Sequence, residues 1–183
     1  MKSEELSDDD LIRGCRENNR KIQEMLYRRY AKVMYNLCLI YESDRDNAKD
    51  ILQEAFIKVF RNINNFDGKG SLQNWIKRIV TNTAIDHYRK NIDEVQYIPI
   101  ENINHPFSSE ESVNSILNTK DIISQVNRLP DGARMIFQLF VIEGYSHKEI
   151  AELLNISEGT SKSQTNRAKQ LLQQWIGGVN MKY

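Results

Sequence analysis

The sequence predicts an all-α protein: two small helical domains joined by an irregular acidic linker. Three observations carry this reading. Apolar residues recur at helical spacing along most of the chain. Only three prolines and eight glycines occur among 183 residues, and no alternating apolar–polar run or framed hairpin turn is present. From Asn91 to Leu117 the character changes. That stretch has no lysine or arginine, carries Asp93, Glu94, Glu101, Glu110 and Glu111, and is broken by Pro99 and Pro106. The expected boundaries are therefore a first domain at 1–91, a flexible acidic linker at 92–111 and a second domain at 112–183.

Each element has its own signal. Ser7 can cap a short helix through about Asn18, with Asp8, Asp9 and Asp10 where the helix dipole favours acids. A longer helix follows to about Tyr41, with Ile22, Met25, Leu26, Val33, Leu37 and Ile40 at helical spacing. A third starts near Ser43 or Asp44 and reaches about Ile63. Ala48, Ile51, Leu52, Ala55, Phe56, Val59 and Phe60 give it a wide apolar stripe, opposite Asp46, Asp50, Gln53, Glu54 and Lys58. Asn64 to Gly70 is a break. Ser71 then caps a fourth helix to about Lys90, whose apolar side is Leu72, Trp75, Ile76, Ile79, Val80 and Ile85. Helices of this length can close a bundle.

Beyond the linker, a helix over about Ser112 to Leu129 turns Val113, Ile116, Leu117, Ile123 and Val126 inward. Pro130 and Asp131 open another, which carries Met135, Ile136, Phe137, Leu139, Phe140 and Val141. It leads at Gly144 into a helix, a tight turn and a last helix to about Trp175, stopped by Gly177-Gly178. Ser146 and Glu149 form a capping box. Ile150, Ala151, Leu153 and Leu154 supply a buried face, and Asn155 tolerates the left-handed turn. Ser157 can cap the last helix, whose front is polar from Ser161 to Arg167. Such side chains bond base edges and phosphates, so the pattern is that of a helix-turn-helix with an exposed recognition helix. Capped helix pairs also occur in all-α domains that bind no DNA.

Composition narrows the classes. The acidic N-terminus lacks the apolar core of a signal peptide, and the most apolar run, Ile136 to Ile142, is too short to span a bilayer. Cys15 and Cys38 are the only cysteines, which suits a reducing cytoplasm rather than a disulfide scaffold. Formal net charge is zero, whereas a free-standing DNA binder is usually basic. His87, His105 and His147 are scattered, neither cysteine has a CxxC partner, and no phosphate-cradling glycine loop occurs. No enzyme, metal site or cofactor is expected. Between Asn62 and Lys90, aromatic Phe66 and Trp75 are interleaved with Lys77, Arg78, Asn82, Arg89 and Lys90. That mixture suits single-stranded nucleic acid, although Trp75 alone fits a core position equally well.

The stretches DNAKDILQEAFIKVFRNINNF and GSLQNWIKRIVTNTAIDHYRK, then the acidic linker, then LPDGARMIFQLFVIEGYSHKEIAELLNISEGTSKSQTNRAKQLL, resemble a bacterial RNA polymerase sigma factor of the extracytoplasmic-function group. The likeness covers roughly Leu11 to Trp175. It implies a promoter-specific initiation factor without catalysis of its own, whose partners are core RNA polymerase, promoter DNA and an anti-sigma factor, with no membrane insertion of its own. By the same resemblance, Asp50, Gln53 and Glu54 dock on polymerase. Asn62, Asn65, Phe66, Asp67, Lys69, Trp75, Lys77 and Asn82 lie at the −10 element, where a flipped base is held. Glu158, Gly159, Thr160, Lys162, Ser163, Asn166 and Arg167 lie at the −35 element. The chain departs from the family at Ser161, where an apolar β-branched residue is usual, at Gln164, usually basic, and at Thr165. Those departures imply weaker packing of the recognition helix or a shifted base preference. A polymerase-independent helix-turn-helix regulator and an all-α adaptor are the competing readings, separable by whether the protein alone binds duplex DNA tightly.

Overall fold

Capping side chains set the helix starts in the computed structural model, which describes residues 6–95 and 124–177, the side chains of 92–95 and 177 excepted. Among the described residues every regular element is helical. They form two units that divide after His87.

In the first unit, Ser7 accepts the Asp10 amide at 3.1 Å and starts α1 (Asp8–Arg16). The same serine's hydroxyl holds the Asp10 carboxyl below its ordinary value. α1 stops at Arg16, two residues before the expected end, because Asn18 turns left-handed at φ +57°. Asn19 then accepts from Lys21 and Ile22 and starts α2 (Arg20–Tyr41). The two helices meet at Gly14: a Cβ there would lie 2.7 Å from the Ile22 side chain, so only glycine permits the approach. A polar clasp closes the other end of α1. Asp8 accepts from the Tyr30 hydroxyl at 2.8 Å and from Arg29 at 3.1 Å, and Arg29 also donates to the Leu6 carbonyl. Burial, helped by the bond to Asp8, pushes the Tyr30 phenol up to about 12.

The buried face of α2 is Leu26, Tyr30, Met34, Cys38 and Tyr41. This differs from the expected stripe, since Met25 and Val33 are 41% and 50% exposed. Adjacent apolar pairs, Met25-Leu26 and Val33-Met34, leave the phase of the pattern ambiguous, and the two tyrosines that fix it read as polar. α3 (Arg45–Asn62), capped by Asp44, buries Ala48, Ile51, Leu52, Ala55, Phe56 and Val59 as its pattern predicts. Tyr27 meets Phe56 edge-on at 4.8 Å and fastens α2 to α3. A single 3-10 turn, Ile63–Asn65, leads through an exposed loop to α4 (Leu72–Val95), whose start is held by Ser71 accepting the Asn74 amide. Leu72, Ile76, Val80, Ala84 and Ile85 are its buried side. α4 extends past the expected Lys90, so Asp93 and Glu94 belong to a helix rather than to an irregular tether. The rest of the expected linker lies outside the described residues, as does the following helix from Ser112 to 123.

The second unit is described from 124 onwards, with helical residues at 124–127. After Pro130 come α5 (Asp131–Phe137) and a π-helical turn, Gln138–Ile142. In that turn the Glu143 amide reaches back five residues to the Gln138 carbonyl. The wider turn advances the register, and the expected core residue Val141 ends 46% exposed, beside Ile142 at 62%. Gly144, at φ +80°, turns the chain into α6 (His147–Leu154), and α7 (Glu158–Gly177) completes the unit. The core includes Val126, Leu129, Ala133, Ala168 and Leu172, with Phe137, Leu171 and Trp175 packed on it.

Arg134 is buried in this core. Its guanidinium donates to the Leu129 carbonyl at 3.1 Å, the Asn127 carbonyl at 3.3 Å and the Asp131 carboxylate at 2.7 Å. It thereby satisfies the main chain that enters Pro130, which a proline cannot do with an amide of its own.

Candidate nucleic-acid and partner interfaces

Three surfaces carry the sequence-predicted residues. The first is the outer face of α3. Asp50 and Gln53 are exposed and Glu54 is half-buried, one helical turn apart. Ile57, 50% exposed, continues the same face. Glu54 is already engaged: Lys58 sits 3.0 Å from its carboxylate and 3.3 Å from that of Asp86 on α4. Burial works against the Lys58 ammonium, but its bonds to Glu54 and Asp86 prevail and hold its pKa above the ordinary lysine value. The face thus presents acceptor oxygens around an apolar contact, with one carboxylate held in place by its own chain.

The second surface is the loop after α3 with the adjoining side of α4. Asn62, Asn65, Asp67 and Lys69 are exposed. Asn62 bonds back to the Lys58 carbonyl at 2.8 Å, and Asn65 reaches Asn62 at 3.4 Å. Asp67 accepts the Lys69 amide at 2.9 Å, which folds the tip into a turn, and Gly68 and Gly70 adopt φ of +75° and +91°. Phe66 is buried, with its ring 5.5 Å from that of Trp75. It supports the loop from beneath and offers no ring face to a base. An aromatic in a polar loop reads as a base platform; here it is the loop's root. Trp75 is half-buried and Asn82 exposed, seven residues apart on one stripe of α4. Lys77 projects from the opposite side of the helix, by the same periodicity, and is half-buried. Arg78, which falls on the Trp75–Asn82 stripe and is exposed, is the better-placed cation. Its spacing of three residues from Trp75, with Asn82 at seven, is the signal that would have singled it out over Lys77.

The third surface is α7. The capping box forms: Ser146 accepts the Glu149 amide, and Glu149 accepts the Ser146 amide at 2.8 Å and hydroxyl at 2.7 Å. Those bonds hold the Glu149 carboxyl below its ordinary value. Asn155 takes the left-handed turn at φ +55°, and Ser157 accepts the Thr160 amide at 2.9 Å. Glu158, Gly159, Thr160, Lys162, Ser163, Asn166 and Arg167 are all exposed. Lys162 pairs with Glu158 at 3.2 Å, so the acid at the helix front is partly neutralised.

Ser161 and Thr165 belong to the inside of the motif. Both are buried. The Ser161 hydroxyl meets Nδ1 of His147 at 2.9 Å, and the Thr165 hydroxyl donates to the Ser161 carbonyl at 2.9 Å. The His147 ring stacks on Phe140 at 4.2 Å. Weaker packing or a shifted base preference was expected from these polar residues; the structure shows them buried, with a hydrogen bond joining α6 and α7 where family members usually carry an apolar side chain. Ser161→Val should remove that bond and lower stability by about 1 kcal/mol. The urea midpoint followed by Trp175 fluorescence measures it, and an unchanged midpoint would show the bond to be without net effect.

Among the described residues no cluster of histidine, cysteine and acids could hold a metal, and no helix is long and apolar enough to cross a membrane. Cys15 and Cys38 are buried, unpaired thiols; burial raises both, Cys38 to about 12.

Comparison with known proteins matches two stretches of the chain to one family. Residues 26–92 match the family sigma-70 region 2, and residues 119–172 match sigma-70 region 4. The ECF RNA polymerase sigma factor SigW of Bacillus subtilis is 31% identical over 160 residues, spanning 80% of this chain and 84% of that one. The ECF RNA polymerase sigma-E factor of Haemophilus influenzae is 26% identical over 185 residues, spanning 95% and 97%. Among solved structures, the sigma factor RpoE of Bartonella quintana, crystallised with the anti-sigma factor NepR, aligns with a TM-score of 0.49 at 22% identity, over 84% of this chain and 96% of that one.

Proposed function

The chain belongs to the extracytoplasmic-function sigma factors of RNA polymerase, and from that premise we propose how its three surfaces divide the work of initiation. As a sigma factor it directs promoter-specific transcription initiation with core RNA polymerase. In our reading the α3 face, Asp50, Gln53 and Glu54, meets basic side chains of the polymerase largest subunit. The loop Asn62–Lys69 with Trp75, Arg78 and Asn82 receives the non-template strand of the −10 element. Extruding a base costs a few kcal/mol of stacking, which contacts in the pocket must return. The exposed face of α7 reads the −35 element in the major groove. An anti-sigma factor would compete for the α3 face, where exposed Ile57 offers an apolar centre.

The observation that carries this reading is the pairing, in one chain of zero net charge, of an acidic docking face with a separate polar recognition helix. A neutral protein depends on the polymerase for most of its affinity for phosphates. Transcription with purified core polymerase on a pool of genomic fragments tests it. Discrete promoter-specific transcripts should appear only when the protein is added. Arg167→Ala with Asn166→Ala should lower initiation at promoters with a matched −35 element by about 1–3 kcal/mol per lost base contact. Tight duplex binding by the protein without polymerase would count for an independent regulator instead.

A further inference from the structure

Arg16, the last residue of α1, reaches across to the far end of α3. Its terminal nitrogen donates to the Phe66 carbonyl at 2.7 Å and its Nε to the Ile63 carbonyl at 3.4 Å. These carbonyls bracket the 3-10 turn from which the exposed loop springs. Among the described residues, Arg16 pairs with no carboxylate. The side chains of Ile63 and Phe66 are buried, so the root of the loop is gripped from within by the core and from outside by the guanidinium. Asn65 sits within that grip, and what projects beyond it is Asp67, Gly68, Lys69 and Gly70. Two of its residues, Gly68 and Gly70, sit at positive φ with nothing within 4 Å of a Cβ, so the tip itself has little to hold it. The match to sigma-70 region 2 begins at residue 26, beyond Arg16 and all of α1.

We infer that Arg16 is a positioning residue for −10 recognition: it fixes the loop that presents Asn65, Asp67 and Lys69 to the extruded strand. This rests on the reading of that loop as the −10 surface. A planar fork can serve two carbonyls at a fixed separation, whereas a lysine keeps the charge and loses the fork. The chemistry therefore separates positioning from simple attraction of DNA phosphate, for which the charge would suffice.

The test uses holoenzyme assembled from core polymerase with wild-type protein, Arg16→Lys or Asn65→Ala. Open-complex formation is compared on a responsive promoter and on single-base variants of its −10 and −35 elements. Arg16→Lys should reduce discrimination at −10 by about tenfold, as loss of a charge-assisted hydrogen bond predicts. Discrimination at −35 and affinity for core polymerase should be unchanged, which a general loss of folding would not spare. In a Trp175→Phe background, Trp75 emission reports on the loop root through its contact with Phe66, and Arg16→Lys should raise its quenching by acrylamide. Full −10 discrimination in Arg16→Lys, with a loss in Asn65→Ala, overturns the role of Arg16 alone. Full discrimination in both overturns the reading of the loop and the inference with it.

Discussion

Asp50→Lys combined with Glu54→Lys is expected to abolish capture of core RNA polymerase. Both side chains lie on the outer face of α3, and both changes reverse charge where basic partners should approach. Coupling energies of close interfacial charge pairs run to about 1.5–7 kcal/mol. Reversing two of them should raise the dissociation constant at least about a hundredfold. The fold should survive. Asp50 is exposed, and the Glu54–Lys58 pair is a partly exposed surface bridge worth about 1 kcal/mol or less. Lys58 retains Asp86 at 3.3 Å. Circular dichroism should show unchanged helix content, and core polymerase should fail to co-elute. Undiminished co-elution would remove α3 from the docking surface.

Arg134→Met should cost the second unit about 3 kcal/mol. The aliphatic stem is kept, so the loss falls on the guanidinium. The carbonyls of Asn127 and Leu129 would be left without their donor beside Pro130, and Asp131 without its partner at 2.7 Å. Removing one side of a buried, hydrogen-bonded charge typically costs about 3–5 kcal/mol, the lower end applying where solvent reaches a partner. For a unit of this size the melting temperature should fall by roughly 10–20 °C. Trp175 reports on this unit, since Arg128 lies over its ring at 4.7 Å. A shift of less than a few degrees in a Trp75→Phe background would show that the main chain finds other donors.

Local signals were legible wherever the sequence carried them within one or two turns. Ser7, Asp44, Ser71 and Ser146 all cap the helices their spacing announces. The stripe of α3 is read correctly because its buried apolar residues outnumber the single apolar residue, Ile57, on the polar face. What stayed hidden depends on partners distant in sequence. Ser161 looks like a reader of DNA until His147, fourteen residues earlier, takes its hydroxyl. Arg134 drew no reading from the sequence, since its role rests on the Asn127 and Leu129 carbonyls. Phe66 needs Trp75, and Arg16 needs carbonyls 47 and 50 residues away. Polar side chains are read as exposed by default, and only tertiary contact reveals the ones that are structural.

The two buried thiols have a practical consequence for watching initiation. Cys15 and Cys38 are enclosed, and their raised pKa values keep the reactive thiolate scarce at neutral pH. Maleimide chemistry will therefore pass them by while the protein is folded. A single cysteine replacing exposed Lys32 or Lys148 would be the one site that takes a dye, with neither native cysteine removed. With one such cysteine in each unit, the chain is prepared for distance measurements between its two units.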